Sequence, residues 1–145
     1  MGVTIQCERT GNSIDLGYGG SAFLREKIAM LAGKEFGEHY SGLSNSKAML
    51  LDGEARKKFY KDHDAKTEEM IKSGRLSIKI ADFCYQPDCS GSIHYGACKT
   101  ILKAIGDYDD DIAYGYCGRP DCAKFRDFKL LLQECVKCKS DLVWR

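Results

Sequence analysis

The residues of this chain best suited to chemistry are its eight cysteines. Seven of them lie between Cys84 and Cys138, and the eighth is Cys7. In a reducing cytosol, thiols coordinate metal ions or fill the core instead of forming disulfides. The chemistry to expect is therefore metal coordination by sulfur.

Two of the cysteine pairs repeat one pattern, aromatic-Cys-x-x-Pro-Asp-Cys, at residues 83–89 and 116–122. Each copy is predicted to follow a strand and to precede a helix. Proline fixes φ in the turn, aspartate can cap the coming helix, and the second cysteine falls in its first turn. Thiols across two such turns supply the four sulfurs of a closed structural zinc site. The predicted Zn²⁺ ligands are Cys84, Cys89, Cys117 and Cys122.

Other ligand sets remain open. Cys135 and Cys138 form a C-x-x-C pair at the end of a predicted helix, and Cys135 is in phase with its core face. His94 and Cys98 are four residues apart on another predicted helix, so that both could face one ion. A mixed site would combine Cys89, His94 or Cys98, Cys122 and Cys135. Alternatively, no metal binds and the cysteines are core fillers. Cys7 is interpreted as an isolated buried thiol.

An acidic run covers Asp107 to Asp111 and resembles the start of a calcium-binding loop. The required Gly and Glu would fall at Ile112 and Gly118, so the EF-hand interpretation fails. The run is interpreted as a solvated loop and is the best local candidate for contact with a basic partner. The predicted partner-binding residues are Asp107, Asp109, Asp110 and Asp111.

No catalytic constellation is evident in the sequence. His39 and His63 lack an associated nucleophile, and no cysteine has the local signature of a protease nucleophile. The zinc deaminase motif is missing. Four sulfur ligands would leave zinc no open position for water, which argues against metal catalysis. Gly17–Ser21 lacks the lysine of a phosphate-binding loop and is interpreted as a flexible turn. The sequence therefore predicts a protein that is not an enzyme.

The secondary structure predicted around these residues indicates an α+β fold. A β-hairpin is expected over residues 3–7 and 13–16, followed by one helix that frays near Phe36 and a second over residues 46–72. Residues 76–83 and 112–116 are predicted strands, residues 92–105 and 121–137 helices, and residues 141–144 an edge strand. The zinc would then hold a β-α-β-α unit, whose strands would be parallel if they are neighbours. Residues 1–75 form the hairpin and helical part and 76–145 the zinc-binding part, in one compact domain.

Composition and charge narrow the function classes. The net charge is +1, and each half carries nearly equal numbers of basic and acidic residues, so neither is a basic nucleic-acid patch. Residues 1–6 show no signal-peptide pattern, and no apolar run is long enough to span a membrane. The chain is expected to be cytoplasmic.

Three segments carry a resemblance to a known family: VTIQCERTGNSIDLG at residues 3–17, IGDYDD at 105–110 and YCGRPDCAKFRDFKLLL at 116–132. They resemble type II anti-CRISPR proteins, which phages and integrated elements encode and which inhibit Cas9. The resemblance implies a non-enzymatic, zinc-containing inhibitor that acts in the bacterial host cytoplasm. It would bind Cas9 and block its engagement of nucleic acid. No contact residues are implied. The alternative is a zinc-ribbon-like nucleic-acid-binding module of a mobile element, using Arg119, Lys124, Arg126 and Lys129.

Overall fold

A computed structural model describes residues 2–44, 47–115 and 122–145. The fold is α+β, as predicted. Its elements, in chain order, are β1 (Gly2–Cys7), β2 (Ser13–Gly17), α1 (Tyr18–Ala32), α2 (Lys34–Ser44), a 3₁₀ turn (Lys47–Leu50), α3 (Gly53–Lys72), α4 (Ile78–Tyr85), β3 (Gly91–Ile93), α5 (Tyr95–Ile105), α6 (Phe125–Cys138) and β4 (Leu142–Trp144).

A four-stranded antiparallel sheet in the order β2-β1-β4-β3 organises the molecule. Trp144 in β4 is opposite Ile5 on one side and Gly91 on the other. The prediction that the last strand lies at an edge was therefore wrong, because β4 is hydrogen-bonded on both sides. Strands from residues 1–75 and from residues 76–145 share this sheet and one hydrophobic core.

The predicted hairpin is confirmed. β1 pairs antiparallel with β2, from Gly2 opposite Gly17 to Gln6 opposite Ser13. Alternate residues of β1 are buried, namely Val3, Ile5 and Cys7. This alternation places one face of the strand on the core, as a half-buried strand requires.

The predicted strand over residues 76–83 is instead part of α4. The Ser77 side chain caps this helix by accepting a hydrogen bond from the Lys79 amide. Ile80 and Cys84 are buried, four residues apart, while Ile78 is 64% exposed. That spacing is helical, and the short alternation around Ile80 was misleading.

The predicted parallel β-α-β-α unit is therefore not present in the described residues. In the other predicted strand, 112–116, Ala113 forms an isolated antiparallel bridge with Lys124. Tyr116 lies outside the described residues. Every ladder of the described sheet is antiparallel.

The glycine-rich segment after β2 is the start of α1, so the flexible-turn interpretation was wrong. Gly17 precedes the helix and donates its amide to the Tyr114 carbonyl at 3.2 Å. A β-carbon at Gly20 would collide with the same carbonyl oxygen. Glycine is needed there because the backbone at Tyr114 packs directly against the first turn of α1.

Helical spacing predicts the apolar faces of the last two helices, and the structure buries them except for Leu102 in α5, which is half-buried. In α5, Ala97, Cys98, Ile101 and Ile105 are buried. In α6 the buried residues are Phe125, Phe128, Leu131, Leu132 and Cys135. The bounds differ from the prediction, since α5 begins at Tyr95 and α6 at Phe125.

The predicted helix over residues 46–72 is shorter, because α3 begins at Gly53. Of its residues only His63 and Met70 are buried. Ala55 is exposed and Phe59 half-buried, so α3 presents no continuous apolar stripe to the core.

Candidate functional site

Of the predicted zinc ligands, Cys84 has the clearest surroundings. It lies inside α4, near its C-terminal end, and not at the end of a strand as the motif had suggested. Its side chain is buried, with Sγ 3.8 Å from the Arg25 carbonyl oxygen, to which it donates. Burial raises the pKa of this thiol to about 12, although the Arg25 guanidinium acts in the opposite direction. These surroundings favour the protonated thiol over the thiolate that coordinates zinc.

The other predicted ligands are placed differently. Cys89 is exposed after α4, and Cys122 is half-buried beside Gly115. Cys117 lies outside the described residues. Among residues 2–44, 47–115 and 122–145, no three His, Cys, Asp or Glu side chains form a group that could hold a metal ion. The four-cysteine set therefore stays a prediction.

A buried arginine holds the segment that carries the first cysteine pair. Arg25 on α1 is 5% exposed, and its Nη1 donates to the carbonyl oxygens of Cys84 at 3.3 Å and Gln86 at 2.6 Å. The same nitrogen forms an ion pair with Asp88 at 3.0 Å. The guanidinium carbon also lies 5.6 Å from the centre of the Trp144 ring. No sequence pattern had pointed to this residue.

Neighbouring side chains complete the attachment of the same segment. The Trp144 indole donates to the Pro87 carbonyl at 2.9 Å, and the Tyr40 hydroxyl donates to the Cys84 carbonyl at 3.1 Å. The side-chain amide of Gln86 donates to the Ser92 carbonyl and accepts from the Ser92 backbone amide. Hydrogen bonds from α1, α2, β3 and β4 thus position residues 84–88.

The alternative pair, His94 and Cys98, is not arranged to share an ion. His94 precedes α5, where its Nδ1 accepts a hydrogen bond from the Gly96 amide at 3.2 Å. Its side chain is exposed, whereas Cys98 is fully buried. One residue faces solvent and the other the core, so the prediction of a common orientation was wrong.

Four cysteines from three parts of the fold meet between the sheet and the last two helices. We call Cys7, Cys98, Cys135 and Cys138 the thiol cluster. The sulfur atoms of Cys7 and Cys138 are 3.6 Å apart, and the Cys135 thiol interacts with those of Cys98 and Cys7. Cys7 is buried, as predicted, but it is not isolated, because its sulfur contacts that of Cys138. The C-x-x-C spacing was the available signal, but nothing local could show that β1 brings Cys7 to it.

Ionisation differs among the members of the thiol cluster. Burial opposes ionisation of Cys7, but hydrogen bonds from Ser140, Thr10 and Cys138 outweigh it and lower the pKa to about 7. The interaction with Cys98, burial and the interaction with Cys7 all raise the pKa of Cys135. Burial and the hydrogen bond with Cys7 raise that of Cys138. Of these three thiols, Cys7 is the one whose pKa is lowered toward neutral pH.

The predicted partner-binding loop is tied to the protein by its own carboxylates. Asp109 and Asp111 form ion pairs with Arg126 at 3.1 and 2.7 Å. Asp110 Oδ2 accepts hydrogen bonds from the hydroxyls of Tyr108 at 3.0 Å and Tyr114 at 2.7 Å. Hydrogen bonding and charge from Arg126 hold the pKa of Asp111 below its usual range.

These contacts determine which aspartates of the loop could bind a partner. Asp110 holds two tyrosines, one of them buried, so its carboxylate has a structural role. Asp107 is exposed at the start of the loop. Replacing Asp109, Asp110 and Asp111 together would remove these hydrogen bonds and ion pairs, so it is expected to disturb folding as well as any contact with a partner.

The basic residues of the nucleic-acid alternative lie against this acidic loop. Lys124 is 3.9 Å from Asp111, and the Lys129 ammonium donates to the Tyr108 carbonyl at 3.4 Å. Arg126 is paired as described above, and Arg119 lies outside the described residues. Neighbouring carboxylates offset the positive charge that phosphate binding would need.

A surface groove lies between α1 and α2, with a volume of about 500 Å³. Phe23, on its rim, is 66% exposed. The groove is lined by Gly19, Ala22, Phe23, Glu26, Tyr40, Leu43 and Ser44. We call it the α1–α2 groove. Its large exposed aromatic ring is the kind of group that anchors protein interfaces.

The two histidines without an assigned role stack on each other. The rings of His39 and His63 are 3.8 Å apart at an interplanar angle of 12°. His39 bonds to Thr67 at 2.8 Å and His63 to the Tyr85 hydroxyl at 2.9 Å. Burial and the neighbouring His39 lower the pKa of His63 to about 4. This histidine pair connects α3 to α2 and α4.

Comparison with known proteins adds no relative. No protein-family model matches the chain, and neither curated proteins nor solved structures give a match. Among the described residues, the helices are too short or too polar to cross a membrane.

Proposed function

We propose that this chain is a non-enzymatic binding protein that inhibits bacterial Cas9 by blocking its engagement of nucleic acid. The resemblance to type II anti-CRISPR proteins supplies the partner. The α1–α2 groove is the observation that carries the binding role. The exposed Phe23 ring beside this mainly apolar concavity gives the groove the character of a protein-interaction surface.

The acidic loop contributes less to this proposal than the sequence suggests. Cas9 presents positively charged channels for nucleic acid, which favours an acidic contact. Asp109 and Asp111 are already paired with Arg126, so they would have to exchange one cation for another. Asp107 is the exposed carboxylate that can act without this exchange.

The test measures binding of the purified chain to Cas9, with and without guide RNA, and inhibition of DNA cleavage. Phe23→Ala is expected to weaken binding at least tenfold, as the loss of an aromatic anchor does. The matched control is Leu130→Ala, because Leu130 is 61% exposed but lies on α6. Asp107→Ala is expected to slow association and leave folding unchanged.

Failure of the unmodified chain to bind Cas9 in either state would remove the proposed function. Inhibition that is unaffected by Phe23→Ala would retain the function and discard the α1–α2 groove as the contact surface.

We also propose a structural zinc ion held by Cys84, Cys89, Cys117 and Cys122. The repeated motif supports it, while the buried, protonated state of Cys84 requires that thiol to release the Arg25 carbonyl and ionise. Elemental analysis of the untagged chain is expected to return one zinc per molecule. Cys122→Ser should then lower zinc content and thermal stability together, because metal-binding energy contributes to folding. Zinc retained in full by both Cys84→Ser and Cys122→Ser would show that other ligands bind it.

A further inference from the structure

Two thiols far apart in sequence are in contact within the thiol cluster. Cys7 ends β1 and Cys138 ends α6, and their sulfur atoms are 3.6 Å apart. They are separated by 131 positions. The contact depends on the pairing of β1 with β4, in which Cys7 is opposite Leu142.

Access from solvent distinguishes the two partners. Cys7 is fully buried, whereas Cys138 is half-buried at the end of its helix. The remaining members, Cys98 and Cys135, are fully buried, and Cys135 donates its thiol to the Asp141 carbonyl at 3.8 Å. A dissolved reagent therefore meets Cys138 first and Cys7 only through Cys138.

We propose that Cys7 and Cys138 are a reversible dithiol pair that exchanges with low-molecular-weight disulfides. The Cys138 thiol loses its proton to solvent, and its sulfur attacks the reagent disulfide, releasing one small thiolate. Cys7 then attacks the Cys138 sulfur of this mixed disulfide and expels the second small thiolate. In sum, two protein thiols and one disulfide give one protein disulfide and two small thiols, and two electrons pass to the reagent.

The surroundings of Cys7 suit the second step. Hydrogen bonds from Ser140 and Thr10 favour its thiolate, which is the attacking form. Its nearest sulfur is the one that the reagent modifies. Cys135 interacts with Cys98, Cys7 and the Asp141 carbonyl, whereas the sulfur in contact with Cys138 is that of Cys7, which makes Cys7 the resolving thiol.

The new bond would join the end of β1 to the end of α6. The end of α6 leads directly into β4. The bond would close a loop through most of the described chain, and such cross-links restrict the unfolded state more than the folded one. The oxidised form should therefore unfold at a higher temperature than the reduced form.

The experiment treats the full chain with glutathione disulfide or with dithiothreitol. Peptide mapping under non-reducing conditions is expected to find a Cys7–Cys138 cross-link, and the melting temperature should rise by several degrees and return on reduction. Cys7→Ser should instead accumulate glutathione on Cys138. In Cys138→Ser, Cys7 should remain unmodified.

Three results would overturn the proposal. One is stable glutathione on Cys138 of the unmodified chain without a cross-link. Another is a cross-link between Cys135 and Cys138. The third is reactivity of these thiols only after a chelator has removed zinc, which would make them metal ligands. If Cys7→Ser does not fold, mapping of the unmodified chain and of Cys138→Ser still decides the question.

Discussion

Helices α6 and α3 differ in how many of their side chains are buried against the rest of the protein. The 14-residue α6 buries five side chains, among them Phe125 and Phe128, against the sheet and α5. The 20-residue α3 buries only His63 and Met70. Helix length and burial are thus unrelated here. A long helix with a solvated circumference depends on local propensity and on a few docking contacts.

Resistance to unfolding should follow the same division. Segments with few buried apolar contacts open at a lower free-energy cost than segments in the core. We expect α3 to separate locally from α2 and α4 before the sheet and α6 lose their structure. Four substitutions follow, from the largest expected effect to the smallest. Three test this difference, and Arg25→Ala tests how firmly residues 84–88 are held.

Leu132→Ala should produce the largest loss. Leu132 is fully buried on α6, and truncation of such a leucine costs about 2–5 kcal/mol through lost burial and a residual cavity. Leu130→Ala, on the exposed side of the same helix, is the matched control and should change stability by less than about 0.5 kcal/mol. Denaturant unfolding measures both. Equal effects would contradict the assignment of the two faces.

Arg25→Ala should cost about 2–3 kcal/mol, because two carbonyl acceptors and Asp88 lose their donor. Arg25→Lys retains the charge but cannot reproduce the planar set of donors, so it should recover only part of the loss. Thermal unfolding of the three proteins provides the measurement. A loss below about 1 kcal/mol for the alanine variant would show that residues 84–88 hold their position without Arg25.

Docking of α3 should weaken in acid through His63. Its folded pKa of about 4 lies below the ordinary value of 6.5, so folding favours the neutral ring. The stabilisation is complete above pH 6.5 and is lost as pH falls from 6.5 toward 4. We expect a loss of about 2 kcal/mol between pH 7 and pH 5. Hydrogen exchange of α3 amides should show it before exchange of the α6 amides changes.

Charged and titratable neighbours from the elements around the histidine pair contribute to this effect. Lys66 opposes protonation of both rings, Asp64 favours it, and Glu35 on α2 favours that of His39. His63→Asn should flatten the pH dependence of α3 exchange. His94→Asn, which replaces an exposed ring outside the pair, should leave it unchanged. A pH-independent exchange rate in the unmodified chain would contradict the role of His63.

Ala55→Gly should have the smallest effect on global stability and is the most direct test of local opening in α3. Ala55 is exposed in the first turn of α3, where glycine costs a helix up to about 1 kcal/mol. If this end of α3 opens independently, hydrogen exchange of its amides becomes faster while the midpoint of global denaturant unfolding stays constant. If the midpoint instead shifts by the full free-energy cost of placing glycine in the helix, α3 unfolds together with the core.

Local patterns predicted those parts of the fold that local forces determine. The hairpin followed from the alternation of Val3, Ile5 and Cys7, and α5 and α6 from their 3.6-residue periodicity. The strand prediction failed at residues 78–85 because alternation over a few residues does not distinguish a strand from a short helix. The position of β4 inside the sheet depends on pairing with β1, more than a hundred residues away, which no local window contains.

The same limit applied to the candidate sites. The repeated cysteine motif was visible in sequence, but its interpretation assumed strands before each copy, and the first copy lies at the end of α4. The contact between Cys7 and Cys138 and the burial of Arg25 are products of tertiary packing. Composition could indicate only that thiols were abundant.

The central place of β4 also determines how the chain must refold. The inner edge of β1 is completed only when the 142–145 segment arrives, with Thr4 and Arg145 exchanging backbone hydrogen bonds at 2.8 and 3.1 Å. The hairpin and the helices can form from near neighbours, but this closure spans nearly the entire described chain and carries a large loop-closure entropy. Until it occurs, the unpaired β1 edge can pair with the same edge of another molecule. Recovery from denaturant should therefore decrease as protein concentration rises, because intermolecular pairing competes with the slow intramolecular closure.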